Sequence, residues 1–385
     1  MRILFAGGFT LGSVTPLLAV IEELNVKCKM QNEKLQIVWV GTRKGPERAL
    51  MQGVGIQYHW IWAPKLRRYF DWRNLFTPIA LHLATKIAWF KLLKIRPDVI
   101  VTAGGFVGVP VVWAAWWLRM FGIRIPVLLH NQDVRWSLAN KLVAPFVKKI
   151  TYALPGTVPG RWKKKAVWTG NPVRGVVLDG DRQRGLKLCG FDDQRSTILV
   201  VGGGTGAQRL NEIVVEALPE LVKKYQVIHI IGRGKNIAPP PQSSPTRGEE
   251  AQPNPPPLVG GVRGGGRYCV LEFVTSEMGD LLAAADLVVT RAGMGVLTEL
   301  AALSKPIVIV PIPGSHQEEN ARYFEQKRAA IVLNQKTLTS ARLVKTVEKL
   351  MDELGAMREM SERAQELSKP DAAVQVAKIV MDLAR

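Results

Sequence analysis

The sequence contains little cysteine, and the few cysteines are far apart. Its 385 residues include three, Cys28, Cys189 and Cys269. They match no metal-ligand spacing and their number is odd, so neither a structural metal site nor a disulfide framework is predicted. We therefore expect a protein of a reducing compartment that holds no metal.

Long uninterrupted apolar runs are also missing. The uncharged stretch 99–118 has the length of a membrane-spanning helix, but Gly104, Gly105, Gly108 and Pro110 interrupt it and both flanks are basic. We predict a strand over 99–102, a glycine turn and a helix that begins at Pro110, because proline is favoured at the first helical position. The apolar start of the chain is too short for a signal peptide, so no export is predicted.

Acidic residues are scarce in the first half of the chain. Residues 1–170 hold 25 Lys and Arg against 7 Asp and Glu, whereas residues 171–385 hold 27 against 25. All eleven Trp lie between Trp39 and Trp168, and aromatic side chains alternate with cations over residues 59–96. This combination favours an anionic membrane surface over nucleic acid as the partner. A basic face without any partner is the alternative.

A nicotinamide-binding fingerprint is absent too. The first predicted strand, 2–6, leads into GGFTLGSVTP at residues 7–16, which is not the Gly-x-Gly-x-x-Gly spacing, and no acidic residue ends the next strand, 36–40. Strand, glycine loop and helix together still form a site where an anion can approach backbone N–H groups. We predict no cofactor.

Short apolar strands alternate with helices along the whole chain, which is typical of a doubly wound α/β protein. We predict an N-terminal Rossmann-like domain over residues 1–170 and a C-terminal one over 171–369, with a C-terminal helix, 370–385, that packs back on the first. Residues 235–267 are rich in Pro, Gly and Ser and are predicted to be a flexible insertion. The predicted strands are 2–6, 36–40, 99–102, 125–130, 149–153, 197–201, 226–231, 268–273, 287–290 and 307–311.

The stretch 285–321 concentrates groups suited to a nucleotide sugar. Its two strands and intervening helix form a parallel βαβ unit, and ligands bind beyond the carboxyl ends of such strands. Gly293 and Gly295 would admit a diphosphate to the helix N-terminus, and Glu299 could accept both ribose hydroxyls. Gln317 and Asn320 offer donors and acceptors for a sugar. The alternative is that the glycines only form turns and Glu299 is a solvated helix residue.

Seven motifs, in this order, resemble those of the MurG family within glycosyltransferase family 28. The family transfers N-acetylglucosamine to the undecaprenyl-linked muramyl-pentapeptide of bacterial peptidoglycan synthesis. The motifs are GGFTLGSVTP (7–16), GGFV (104–107), LHNQD (129–133), TGNPVR (169–174), GGGTGA (202–207), RAG (291–293) and HQEENA (316–321).

The resemblance implies a GT-B fold, in which two doubly wound Rossmann-like domains face a cleft, and an inverting transfer from UDP-N-acetylglucosamine without a metal. It implies a peripheral protein on the cytoplasmic face of the bacterial plasma membrane, with cell-wall or division proteins as possible partners and no nucleic acid. The implied acceptor-binding residues are Gly7, Gly8, Gly104, Gly105 and Phe106. The implied donor-binding residues are Thr10, Leu11, Gly12, Asp133, Arg174, Gly204, Phe273, Val274, Gly293, Met294, Gly295, Val296, Glu299, Gln317 and Asn320.

The chain departs from the family pattern where the chemistry is expected. Ser13 stands in the place of the usual histidine of the first loop, Asn131 in that of a glutamate, Asp133 in that of an asparagine, and Gly204 in that of a serine. We predict Asp133 as the general base, assisted by Ser13 or His130, because an unperturbed serine hydroxyl is a poor base. Ser13 could equally be a helix N-cap.

Three functions therefore remain open from the sequence. The first is the active transferase. The second is a related UDP-sugar enzyme of the same fold, either an epimerase or a transferase to another acceptor. The third is a non-catalytic protein that binds UDP-sugar within a cell-wall complex.

Overall fold

A computed structural model describes residues 1–9, 11–63, 77–202, 207–232, 261–263 and 266–385. The chain forms two compact units. The N-terminal unit comprises Met1–Arg174 together with Leu367–Arg385, and the C-terminal unit comprises Gly175–Glu366. The division therefore falls after Arg174, where the sequence pattern placed it after residue 170.

The N-terminal unit is built on a sheet of seven parallel strands in the order β3-β2-β1-β4-β5-β6-β7. Chain order reverses between β1 and β4, which makes this the switch point of a doubly wound sheet. The strands are β1 (Arg2–Ala6), β2 (Gln36–Gly41), β3 (Gln57–Trp60), β4 (Val99–Thr102), β5 (Val127–Asn131), β6 (Lys149–Tyr152) and β7 (Ala166–Trp168).

Helices cover both faces of this sheet, as a parallel sheet requires. One face packs on α1 and α14 through a core that includes Leu24 and Val380. The other face packs on α3, α4 and α5 through a core that includes Leu92 and Val112. The helices are α1 (Thr15–Met30), α2 (Pro46–Gly53), α3 (Thr77–Ile95), α4 (Gly108–Leu118), α5 (Leu138–Val143) and α14 (Ala372–Ala384).

The C-terminal unit repeats the design with the strand order β10-β11-β9-β8-β12-β13-β14. All neighbours are parallel except the edge pair β10 and β11. The strands are β8 (Thr197–Val201), β9 (Gln226–Ile230), β10 (Gly261–Arg263), β11 (Tyr268–Leu271), β12 (Leu287–Thr290), β13 (Ile307–Ile309) and β14 (Ile331–Val332). The helices are α6 (Gly175–Leu178), α7 (Arg182–Cys189), α8 (Gln208–Lys224), α9 (Met278–Ala284), α10 (Met294–Ala302), α11 (Gln317–Gln326), α12 (Ser340–Asp352) and α13 (Leu354–Gln365).

Several predicted boundaries were wrong. Helix α4 begins at Gly108, two residues before Pro110, since the proline still lies in the first turn, where its missing N–H is tolerated. Within the predicted flexible insertion, Gly261–Arg263 pairs with β11, because edge pairing uses backbone groups and needs no apolar side chains. Residues 233–260 and 264–265 of that insertion lie outside the described residues.

The short edge strands β3, β7 and β14 were not predicted. They contain only two to four residues, and none of the three presents a fully buried face. Their sequences therefore lack the continuous apolar run that marks a central parallel strand. In the part of the chain that the structure describes, no helix combines the length and apolarity needed to cross a membrane.

Candidate active site

The first glycine loop follows β1 at the switch point of the N-terminal sheet. Its first residue, Gly7, donates its N–H to Val40 O at 3.2 Å and accepts at its carbonyl from Trp39 Nε1 at 3.0 Å. Trp39 is fully buried and stacks on Phe5, so the start of the loop is fixed from inside the core. The structure thus holds the backbone of Gly7 and Gly8 at the edge where an anionic ligand is expected.

The second glycine loop follows the adjacent strand β4. Gly104 and Gly105 adopt φ values of 95° and 81°, which favour glycine. A Cβ built on Gly104 would overlap the side chain of Asn140, and one built on Gly105 would lie 3.5 Å from Gly8 O. The predicted acceptor-binding glycines of the two loops are therefore neighbours, and Phe106 lies half-buried next to them.

Asp133, the predicted base, follows β5 at the same edge and is half-buried. Asn131 fixes its main chain by donating from Nδ2 to Asp133 O at 2.9 Å. Asn140 Nδ2 in turn donates to Asn131 Oδ1 at 2.8 Å. Asn131 therefore serves as a buried tether, while the carboxylate two residues on is the ionisable group that remains partly accessible.

His130 lies under this edge, with 1% of its surface exposed. Its Nδ1 is 2.9 Å from Thr151 Oγ1 and its Nε2 is 2.9 Å from Asn171 Oδ1. With the asparagine oxygen accepting, the neutral ring donates from Nε2 and accepts the threonine proton at Nδ1. Burial lowers the pKa of His130 to about 4. This environment favours a structural role for His130 over the predicted assistance in proton transfer.

Ser13 ends a short 3-10 helix, Leu11–Ser13, immediately before α1. The N-cap position of α1 is Val14, and no side chain caps it. The N-cap interpretation of Ser13 is therefore wrong. Gly12, in the same turn, is exposed, whereas Thr10 lies outside the described residues.

In the C-terminal unit, the predicted donor-binding residues follow β11, β12 and β13 at one edge of the sheet. Helix α10 begins at Met294 after Gly293, and no side chain caps its N-terminus. A Cβ built on Gly293 would meet no atom of the described residues within 4 Å, so they leave the space before the helix open. Gly295 and Val296 complete the first turn and Glu299 follows in the second, half-buried. An uncapped helix N-terminus with backbone access suits a phosphate.

Two side chains of the next loop support this turn. Asn320 is fully buried and donates from Nδ2 to Ala292 O at 3.1 Å, which joins α11 to the loop before α10. Gln317 accepts at Oε1 from Ile312 N at 3.2 Å, so its amide is held at the start of α11. Asn320 therefore shapes the site, and Gln317 is oriented by its own loop.

Arg291 adds a positive charge that the predicted set of site residues omitted. It is 5% exposed and donates from Nη1 to Val310 O at 2.9 Å, while its Nε has no partner among the described residues. Burial lowers the pKa of Arg291 to about 10, so it stays charged at neutral pH. A buried cation two residues before an open helix N-terminus favours binding of an anion.

The remaining predicted residues lie at strand ends or at the division of the chain. Phe273 and Val274 follow β11 and are half-buried, and Gly204 lies outside the described residues. Arg174 ends the N-terminal unit, and its Nε is buried without a hydrogen-bond partner. The guanidinium therefore has unused capacity for an anionic ligand.

Sequence reasoning missed Glu47 and Asn140, which support the N-terminal site from beneath. Glu47 is fully buried and Asn140 is 5% exposed. Asn140 could have been suspected, because Ser137 three residues earlier forms a typical N-cap whose Oγ accepts from Asn140 N at 3.1 Å. Glu47 gave no such signal, since a glutamate in the first turn of a short helix is ordinarily solvated.

Two doubly wound α/β units of this kind are the architecture of the GT-B class of glycosyltransferases. The chain belongs to glycosyltransferase family 28. The N-terminal domain of that family matches residues 3–152, and its C-terminal domain matches residues 197–376.

Named relatives match over most of the chain. The UDP-N-acetylglucosamine--N-acetylmuramyl-(pentapeptide) pyrophosphoryl-undecaprenol N-acetylglucosamine transferase 2 of Bacillus cereus (strain ATCC 10987 / NRS 248) is 36% identical over 353 residues, 91% of each chain. The corresponding transferase of Legionella pneumophila (strain Paris) is 36% identical over 354 residues, 91% of this chain and 88% of its own. The crystal structure of Acinetobacter baumannii MurG superposes with a TM-score of 0.71 at 25% identity, covering 99% of both chains.

Replacing Glu299 tests the predicted ribose contact. We expect Glu299→Ala to raise the dissociation constant for UDP about 10- to 100-fold, because two hydrogen bonds to a charged acceptor are lost. Isothermal titration calorimetry would measure this. Glu325→Ala, which removes an exposed carboxylate from α11 of the same unit, is the matched control and should bind UDP normally. Equal affinity in the two variants would refute the assignment.

Acid should destabilise the fold through its two buried histidines. Burial also lowers the pKa of His229 to about 4, where its ring contacts Tyr268 and Asn211. Between pH 6.5 and 4 the unfolded chain binds a proton at each site that the folded chain does not. The free energy of unfolding should therefore fall over this range, by up to about 3 kcal/mol per histidine.

Thermal denaturation across this pH range would measure the loss. His130→Gln should weaken the pH dependence, whereas the same substitution at the exposed His82 should leave it unchanged. An identical pH dependence in wild type and His130→Gln would contradict the assigned pKa.

Proposed function

We propose that this protein transfers N-acetylglucosamine from UDP-N-acetylglucosamine to the 4-hydroxyl of undecaprenyl-diphosphate-linked N-acetylmuramyl-pentapeptide, with inversion at the anomeric carbon. The relatives that match 91% of the chain carry the name of this transferase. Within the structure, the proposal rests mainly on the N-terminus of α10, which is open and uncapped and has Glu299 in its second turn.

The donor would lie along the carboxyl edge of the C-terminal sheet. Its uracil would lie near Phe273 and Val274, and its ribose on Glu299. The diphosphate would accept hydrogen bonds from the first backbone N–H groups of α10, whose dipole favours negative charge. Gln317 would contact the sugar, while Asn320 keeps the loop before α10 in place.

Charge on the departing UDP would be stabilised by cations and the helix dipole. Arg291 is buried, keeps its charge at neutral pH and has an unused Nε. Arg174 likewise has a buried Nε without a partner. Fixed positive groups in a poorly solvated site stabilise the transition state more than they would in water.

Asp133 would take the proton of the attacking hydroxyl. Asn131 bonds the main chain of Asp133, so the backbone that carries this carboxylate is fixed at the carboxyl edge of the N-terminal sheet. His130 is neutral, buried and already hydrogen-bonded at both nitrogens. Asp133 is therefore the better candidate for general base, and Ser13 would at most orient the acceptor.

The acceptor is a membrane lipid, and the N-terminal unit offers a surface for its membrane. Exposed apolar side chains form what we call the α3–α4 apolar stripe. It comprises Ile79, Leu83, Ile87 and Phe90 on α3, and Trp116, Met120, Phe121 and Ile123 at the end of α4 and beyond it. Phe90 is 67% and Phe121 is 69% exposed.

Cations predominate along this stripe, and the exposed Asp98 lies at its edge beside Ile123. Residues 77–97 and 108–126 contain no Asp or Glu, while Lys86, Lys94, Arg119 and Arg124 are exposed among them. Exposed apolar groups ringed by cations suit an anionic lipid surface, into which the apolar groups insert while the cations meet the head groups. We infer peripheral attachment to such a membrane. Association with cell-wall or division proteins stays a prediction, and residues 64–76 of the basic aromatic segment lie outside the described residues.

Transfer of radiolabelled N-acetylglucosamine to the lipid-linked muramyl-pentapeptide, in detergent and without added metal, tests the reaction and its base together. Wild type should label the lipid. Asp133→Asn should lower turnover at least about 100-fold while UDP binding persists, because a proton acceptor is lost. Asp382→Asn removes an exposed carboxylate from α14 and should transfer normally. UDP binding without any transfer by wild type would favour another acceptor or a binding-only role.

Sedimentation with liposomes tests the membrane surface. Wild type should bind vesicles that contain anionic lipid, less strongly as salt rises, and bind neutral vesicles poorly. Ile87→Glu places a negative charge in the α3–α4 apolar stripe and should reduce binding about 10-fold. Val26→Glu makes a similar change on α1, which packs on the other face of the sheet, and should bind like wild type. Equal loss in both variants would mean that net charge, rather than this stripe, governs binding.

A further inference from the structure

We propose that Glu47 is a positioning residue that sets the first glycine loop, through Gly8, for the lipid-linked acceptor. The inference rests on the proposed function, because it assumes that this loop receives the acceptor. Glu47 lies at the start of α2, beneath the loop, and takes no part in the proton transfer or leaving-group stabilisation described above.

The Glu47 carboxylate is fully buried. Its Oε1 accepts hydrogen bonds from Thr42 N at 2.8 Å and from Thr42 Oγ1 at 2.5 Å. The Tyr58 hydroxyl, 3.4 Å from Oε1, donates to Thr42 O at 2.6 Å. Among the described residues, Oε2 has no hydrogen-bond partner. One oxygen therefore anchors the carboxylate to the end of β2, and the other is held by its surroundings alone.

Two glycines, Gly8 and Gly45, pack against the Glu47 carboxylate. A Cβ built on Gly8 would overlap the carboxylate, lying 2.8 Å from its Cδ, and a Cβ built on Gly45 would overlap both oxygens. The carboxylate thus fills the space that side chains would occupy at these positions. Because Thr42 fixes its orientation, the backbone of Gly8 cannot move inward, and this contact defines one wall of the loop.

The loop itself is strained. Phe9, directly after Gly8, adopts a φ of 71°, a conformation that L-residues other than Asn and Asp rarely take. Such a conformation persists when neighbouring structure over-determines it. The Glu47 contact beneath Gly8 supplies one such constraint, and the Trp39 hydrogen bond to Gly7 O supplies another.

The contacts of Gly8 continue along the carboxyl edge of the sheet. The Gly8 carbonyl lies against Gly105, whose neighbour Gly104 lies against Asn140. Asn140 bonds Asn131, and Asn131 bonds the main chain of Asp133. A packed row therefore runs across the ends of β2, β1, β4 and β5, in the order of the strands in the sheet. Glu47 forms its outer end and the candidate base its inner end.

Steady-state kinetics of four variants test the proposal. Gly8→Ala should lower kcat/KM for the acceptor about 100-fold, since its methyl group pushes loop and carboxylate apart. Glu47→Ala should lower the same ratio about 10-fold by releasing the loop. In the double variant the new methyl group takes the vacated space, so it should regain about 10-fold over Gly8→Ala. Gly53→Ala, on the far end of α2 where a Cβ meets nothing, is the control and should match wild type.

Two further readouts separate positioning from general damage. UDP affinity should stay within about twofold of wild type in every variant, because the residues proposed to contact uracil and ribose, Phe273, Val274 and Glu299, belong to the other sheet. Hydrogen–deuterium exchange of residues 3–9 should speed up in Glu47→Ala and stay unchanged in Gly53→Ala. Additive losses in the double variant, a parallel loss of UDP affinity or unchanged exchange would each overturn the role of Glu47.

The outcomes also distinguish this inference from the proposed function. If wild type binds UDP but transfers nothing to the lipid-linked acceptor, the proposed function fails. Hydrogen–deuterium exchange of residues 3–9 needs no substrate. In that case this measurement alone decides whether Glu47 holds the loop. If wild type transfers normally and Glu47→Ala does as well, the proposed function stands and the positioning role fails.

Discussion

Parallel strand pairing is the constraint on which the rest of this structure depends. In a parallel sheet every strand ends at the same edge, so loops that are far apart in sequence become neighbours. In the N-terminal unit this brings residues 7–9, 104–105 and 131–133 into one packed row. In the C-terminal unit it gathers Phe273, Gly293 and Gln317 at one edge.

Buried polar groups give these edges their precision. Glu47, His130, Asn140 and Asn320 each have little or no exposed surface and hold backbone or side chains of the loops above them. Burying such groups is costly unless they are bonded, so they persist where they fix a conformation. Among the described residues, Glu47 and Asn140 each keep one buried oxygen without a hydrogen-bond partner, and Arg291 and Arg174 each keep a buried Nε without one. An unsatisfied guanidinium nitrogen is consistent with an anionic ligand that completes its hydrogen bonds.

The structure explains two of the positions, Asn131 and Asp133, at which this chain departs from the family pattern. Asn131, in place of a glutamate, is 1% exposed and bonded on both sides, so an ionised carboxylate there would be buried without a cation. Asp133, two residues on, is partly exposed and can carry the charge. The carboxylate has thus moved from a buried position to a more accessible one. Nothing in the structure explains Ser13, since the N-cap position of α1 is Val14.

Much of the fold could be predicted from the sequence, because central parallel strands such as Val99–Thr102 are continuous apolar runs and glycine loops follow them visibly. Edge strands such as Ala166–Trp168 escaped prediction, since one neighbouring strand and few buried side chains leave no apolar pattern. The motifs likewise indicated Glu299, Gln317 and the glycines, whose chemistry is local.

By itself, the sequence determined the class of fold, the family and the basic character of the N-terminal unit, because these follow from residue type and order. Only the tertiary structure decided which polar residues act as supports. Burial lowers the pKa of both His130 and Arg291, and that burial depends on neighbours remote in sequence. The wedge that Glu47 forms between Gly8 and Gly45 arises only when β1 and β2 pair side by side.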